Sequence, residues 1–138
     1  MLQNLRLARL YLILLAIFVV GRLALGANGF PYERGTSIFS IVLMTIISSV
    51  FYGAFLRRWG RASILRCIAL GLTIGLLGQL AIMAATALSY QMNVDTYFNN
   101  RIALNADKLE KALGFSEAMR RRAGGLVANC ILNSVAGA

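Results

Sequence analysis

The chain has 138 residues, 59% of them hydrophobic and 14% charged, with a formal charge of +9 and no histidine. Soluble domains average about 45–50% apolar and about 25% charged, so lipid is the expected principal solvent, and the length suits one unit. A soluble nucleic-acid binder gathers its basic charge into a stripe; here most arginines of the first half flank uncharged runs, so the charge reads as topological and nucleic acid is not an expected partner.

The first uncharged stretch covers residues 10–32 and is interrupted by Arg22. About 20 apolar residues cross a hydrocarbon core of about 30 Å, which predicts a first membrane helix over about residues 8–30. A signal peptide is the rival pattern, with Arg6 and Arg9 as basic leader, residues 10–21 as apolar core and Ala24-Leu25-Gly26 as cleavage site. The uncleaved helix is the expectation carried forward. Arg22 stands about 20 Å beyond Arg9 at 1.5 Å per residue, which leaves about 10 Å to the far boundary of the hydrocarbon core. A guanidinium largely bridges that distance by snorkelling. Two readings follow: an outer-leaflet anchor, or a contact for an anion, a lipid phosphate or a partner carboxylate.

Gly26, Ala27, Asn28, Gly29, Phe30 and Pro31 break the helix with turn formers and the chain's one proline. Thr36 or Ser37 is the expected cap of a second helix over about residues 36–57. Phe30 and Tyr32 fall at headgroup depth, where an amphipathic Tyr ring is favoured. Ser37, Ser40, Thr45, Ser48 and Tyr52 lie roughly on one side of helix 2. Their hydroxyls can bond back to the preceding turn or across to a neighbour, and Ser40 and Ser48 are counted among the packing residues. A pore lining is the competing reading, although the run carries no ionisable group.

Arg57, Arg58, Trp59, Gly60 and Arg61 form a short basic connection with Trp at the boundary, which predicts a tight antiparallel hairpin and headgroup or anion contacts for Arg57, Arg58 and Arg61. Helix 3 is expected over about residues 64–92. Gly71 and Gly75 make a small-xxx-small pair that Gly78, Ala81 and Ala85 extend, so another helix can approach closely. Helix 2 is the natural complement, with a second subunit as the alternative. Gln79 lies inside the span and needs an interhelical partner.

The tail is read as two short helices. Asp107, Lys108, Leu109 and Glu110 resemble a capping box, Leu109, Ala112 and Leu113 share a face, and Gly114 is a natural stop. Ser116 can cap a last helix from Glu117 onward, with Asn129 and Asn133 four residues apart as interhelical amides. Its uncharged part, residues 123–138, is about 24 Å long at 1.5 Å per residue. That is short of a full crossing, so residues 117–138 are either a short fourth span or a helix packed partly outside the bilayer.

The fold expected is all-α: a polytopic membrane protein with a three-helix bundle over residues 1–94 and a helical tail over residues 95–138. Arg6, Arg9, Arg57, Arg58, Arg61 and Arg66 place the N-terminus and the second connection in the cytoplasm by positive-inside bias, in a bacterial inner membrane. Arg120, Arg121 and Arg122 would then lie outside, against that bias.

Glu33, Asp95, Asp107, Glu110 and Glu117 all fall in connections or the tail. Cys67 and Cys130 are isolated, read as two small apolar residues with a disulfide or redox pair as the alternative. Paired carboxylates, histidine triads, a P-loop and metal-ligand spacings are all missing, so no catalytic, metal or cofactor residue is expected. The leading expectation is a non-catalytic subunit of a larger membrane complex, with lipids and other membrane subunits as partners. The alternative is a homo-oligomeric channel or carrier for an anion, using Arg22 and the hydroxyl face of helix 2. A lipid-active enzyme would need Arg120–Arg122 or Arg57–Arg61 to converge with a nucleophile.

Overall fold

The computed structural model describes residues 9–106 and 113–138. Its long helices are α1 (Arg9–Ala27), α2 (Ile41–Arg58), α3 (Ile64–Gln91) and α4 (Phe115–Gly137), with a single helical turn at Tyr32–Gly35 and a 3-10 turn at Ile102–Leu104. The fold is all-α, and α1, α2 and α3 are each long and apolar enough to cross a bilayer. Arg6 and the stretch Asp107–Glu110, with its proposed capping box and the Leu109–Ala112 face, lie outside the described residues.

Local chemistry sets the helix ends. α1 closes on Gly29, whose φ of 70° lets Gly29 and Phe30 donate back to Gly26 and Leu25. α3 closes the same way on Asn93, at φ 51°, with Asn93 and Val94 donating to Tyr90 and Ser89. Its start is capped by Ser63, whose hydroxyl accepts from the Arg66 amide. Two expected caps are displaced. Ser40, not Thr36 or Ser37, caps α2 by accepting from the Leu43 amide, because Tyr32–Gly35 forms its own turn and Thr36 donates back to Tyr32 and Glu33. α4 begins at Phe115 behind an extended Gly114, so Gly114 is an entry residue and Ser116 lies inside the helix.

α4 runs antiparallel along α3 over nearly its whole length. The register descends from Tyr90, whose hydroxyl donates to the Leu113 carbonyl (2.9 Å), through Gln79 beside Arg122 and Asn129, to Gly71 beside Asn133. It ends with Cys67 beside Gly137. A Cβ on Gly71 would overlap the Asn133 carbonyl, one on Gly75 would lie 2.8 Å from the Asn129 carbonyl, and one on Gly53 would overlap the Gly137 carbonyl. The expected complement of the glycine pair was helix 2; α4 takes that place.

The remainder of the small-residue stripe meets other neighbours. Gly78 faces Thr45 of α2 and the Tyr11 hydroxyl of α1, and Ala81 and Ala85 face the α1 side. α1 runs parallel to α3, pinned near its start by the Tyr11 hydroxyl donating to the Ile74 carbonyl at 2.9 Å. Only 11% of its membrane-length window is buried, against 50% for α3, so α1 is the least covered of the three apolar helices.

One end of the bundle carries the α2–α3 connection, where Arg57 donates to the Ala138 carbonyl at 2.9 Å. The other is closed by residues 28–40 and 92–106, which bury Tyr97, Phe98 and Leu104. Phe39 lies edge-on to Phe18, and the Gly26 backbone approaches Thr96 and Tyr97.

Replacing Gly71 with Val should force α3 and α4 apart and destabilise the protein by about 1–3 kcal/mol or more, as overpacking does. Gly124→Ala, where a Cβ meets nothing within 4 Å, should be neutral or stabilising by up to about 1 kcal/mol through helix propensity. Denaturant unfolding in detergent measures both; equal effects would contradict the close contact.

Candidate functional site

Two polar constellations occupy the bundle. The first is a chain of amides through the α2–α3–α4 interface. The Ser49 hydroxyl donates to Asn133 Oδ1 (2.8 Å), and the Asn133 amide donates to the Asn129 carbonyl (2.8 Å). The Asn129 amide then donates to Gln79 Oε1 (2.5 Å), and Gln79 Nε2 to the Arg122 carbonyl (2.5 Å). Gln79, Asn129 and Asn133, each read singly as interhelical polar residues, are thus brought together in one directed series. Buried amides with every link satisfied hold helices at one rotation and one register.

The hydroxyl face of α2 is occupied from within. Ser40 is a cap, Thr45 donates to the Val42 carbonyl (2.8 Å), and Ser48 contacts the Met44 sulfur (3.9 Å). The hydroxyl that crosses to another helix is Ser49, which no periodicity in the sequence singles out.

The second constellation lies at the end closed by residues 28–40 and 92–106. Arg22 is only 9% exposed. Its Nη1 donates to the Thr36 (3.3 Å) and Ile38 (3.2 Å) carbonyls, and its guanidinium carbon lies 5.7 Å and 5.2 Å from the centroids of the Tyr32 and Tyr97 rings. Cation–π attraction and carbonyl acceptors together hold a charge that water does not reach freely. Arg22 is therefore a tie between α1 and the loop before α2, and it does not extend into open lipid. The Tyr97 hydroxyl donates to the Pro31 carbonyl (3.1 Å). Burial pushes this phenol above its usual pKa, opposed in part by the Arg22 charge, so it stays neutral near pH 7.

Arg122 reaches the same place from α4. Its Nη2 donates to the Phe98 carbonyl (2.7 Å) and its Nη1 to the Ala103 carbonyl (3.1 Å), while its buried Nε has no acceptor. Arg22, Tyr32, Ser40, Tyr97, Phe98 and Arg122 line one cavity of about 160 Å³, and no acid is among its described lining residues. A second hollow of about 140 Å³ adjoins it past Arg122 and reaches Gln79 and Asn129.

The neighbouring arginines are bound differently. Arg121 bonds Glu117 and the Leu104 and Asn105 carbonyls, and Arg120 pairs with Glu117 at 2.6 Å. Arg58 and Arg61 sit exposed at the opposite end beside Trp59. Cys67 is buried, Cys130 is partly buried, and the two are not joined. Among the described residues, no group of three or more His, Cys, Asp or Glu residues is placed to hold a metal. Sequence reasoning missed Tyr97, which has only its aromatic character as a signal, and named Arg122 only within the Arg120–Arg122 triplet of the lipid-enzyme reading, without singling it out or joining it to Arg22.

Three apolar helices of membrane length define the class, a multi-pass integral membrane protein. No family model matches the chain, and neither a curated protein nor a solved structure matches it.

Gln79→Leu removes the central link of the amide series and leaves Asn129 and the Arg122 carbonyl without that partner. Stability should fall by about 1–2 kcal/mol, since interhelical bonds in lipid average about 0.6 and reach about 1.7 kcal/mol. Ser49→Ala should be more destabilising than Ser48→Ala in the same unfolding assay. The reverse order would contradict the series.

Proposed function

We propose that the chain is a non-catalytic subunit of a larger membrane protein complex, acting through helix–helix and lipid packing. The observation that carries this reading is the state of α1. It is thinly covered, and between it and α3 runs an open apolar furrow of about 710 Å³ walled by residues that include Ala16, Val19, Val20, Ala81, Ala84 and Leu88. Small side chains on such a wall let a further helix approach within dispersion contact. The Thr45, Ser48 and Ser49 hydroxyls of α2 and the amides of α3 and α4 are engaged inside the bundle, which supports a packing role over a polar conduit.

The proposed setting is a bacterial inner membrane with the N-terminus and the Trp59 connection in the cytoplasm. Arg120 and Arg121 share Glu117, and Arg121 and Arg122 bond loop carbonyls. The triplet stays positive on the outer face in this proposal, against positive-inside bias, and is outnumbered by the six arginines of the N-terminus and the second connection. α4 crosses with the others in this proposal: its 23 residues extend about 34 Å at 1.5 Å each, and Asn133 and Asn129 turn towards α2 and α3.

Purification in mild detergent should yield a species larger than the monomer that contains at least one other membrane polypeptide. Ala84→Phe, an exposed substitution that fills the furrow, should strip that partner while leaving helicity and thermal stability near wild type. A wild-type protein that runs alone as a monomer would remove this reading.

A further inference from the structure

We propose that the Arg22–Arg122 cavity is an oxyanion site for a phosphate group, carried either by a lipid headgroup or by free phosphate. The proposal depends on neither transport nor a partner subunit. Two guanidiniums, delivered by α1 and α4, line one cavity with no acid among its described lining residues. Main-chain carbonyls orient these cations but leave their charge uncompensated, and like charges sharing a poorly hydrated space repel. The four carbonyls that accept from them are those of Thr36, Ile38, Phe98 and Ala103. A guanidinium has five N–H donors. Among the described residues, Arg22 bonds through Nη1 alone, and the buried Nε of Arg122 has no acceptor.

A third positive element points the same way. Ser40, Ile41 and Val42, the cap and first residues of the 18-residue helix α2, also line the cavity. The Leu43 amide is taken by the Ser40 hydroxyl, while the first amides of a helix have no partner within it and carry the positive end of its dipole. Helix N-termini combined with cationic side chains form sites for phosphate. Tyr32 and Ser40 add hydroxyls on the cavity wall.

Size and donor chemistry select the ligand class. A cavity of about 150 Å³ accommodates a benzene molecule, so 160 Å³ suits one small anion. Donors arriving from three helices match an anion that spreads charge over several oxygens, and guanidinium forks favour phosphate or carboxylate over a spherical ion. The cavity lies at the end of α1 and the start of α2, where the sequence places the headgroup boundary. That position brings a lipid phosphate within reach as readily as a dissolved one.

Delipidated protein in dodecyl maltoside, titrated with sodium phosphate against sodium chloride at constant ionic strength, tests the free-phosphate source through thermal-unfolding midpoints. Nanodiscs containing phosphatidylglycerol, compared with nanodiscs of an uncharged glycolipid, test the lipid source by the same readout and by phospholipid retained in native mass spectrometry. The expected result is a saturable midpoint rise in one of the two arms. Tyr32→Phe keeps the ring and should weaken the response about fivefold, the loss of one hydrogen bond of about 1 kcal/mol. Arg22→Lys, which exchanges a fork for a point charge, should weaken it tenfold or more. Response to dissolved phosphate identifies a free anion, and response confined to phosphatidylglycerol identifies a lipid; either supports the site. No response in both arms, or full wild-type response in both variants, overturns it.

Discussion

The close approach of α4 to α3 is the constraint on which the rest of the structure depends. Gly71 and Gly75 remove the side chains that would separate the two backbones, and Gly53 does the same for α2 where Gly137 crosses it. With the backbones in contact, short amides can span the remaining gap, and Ser49, Asn133, Asn129 and Gln79 fix the rotation and register of the three helices. That register carries Arg122 to the cavity that Arg22 enters from α1. In a hydrocarbon solvent there is no hydrophobic force between apolar helices, so dispersion at small residues and paired polar groups must supply the association.

The same physics explains how a bundle rich in arginine tolerates its charge. Arg22, Arg121 and Arg122 direct their guanidiniums at main-chain carbonyls of residues 28–40 and 92–106, segments whose carbonyls are not all used in helices. Each such bond satisfies a loop acceptor that would be expensive to leave unpaired in a poorly hydrated setting. The closed end of the bundle is thus held by cations from α1 and α4, with Tyr32 and Tyr97 rings flanking Arg22.

The three apolar helices were legible because length and hydropathy in lipid leave helix as the answer for an uninterrupted run. Glycines 71 and 75 were legible as a packing surface, and Gln79, Asn129 and Asn133 as groups in need of partners. Which surface met which was not legible. α4 is polar enough at Arg120, Arg121, Arg122, Asn129 and Asn133 to hide its kinship with the other helices, and its contacts with α3 span up to about 70 residues of sequence, as between Cys67 and Gly137. Along one stripe of α3 the neighbour changes, from α4 at Gly71 and Gly75 to the α1 side at Ala81 and Ala85, although spacing alone leaves these residues on nearly one face. Of the cavity, Arg22 was legible through its isolation in an apolar run. Arg122 was not, since a basic residue near a helix start has many solvated counterparts.

Paired spin labels give the most direct test of the α3–α4 arrangement. Leu65, near the start of α3, and Val135, near the end of α4, are both exposed, as is Phe115 at the other end of α4. Antiparallel packing predicts a Leu65–Val135 separation on the order of 10–20 Å, from interaxial distances of about 8–10 Å plus the label arms. It predicts a Leu65–Phe115 separation of about 30 Å or more, the length of α4 at 1.5 Å per residue. Equal separations, or a broad distribution for Leu65–Val135, would show that α4 does not lie along α3 and would dissolve the amide series and the two-arginine cavity with it.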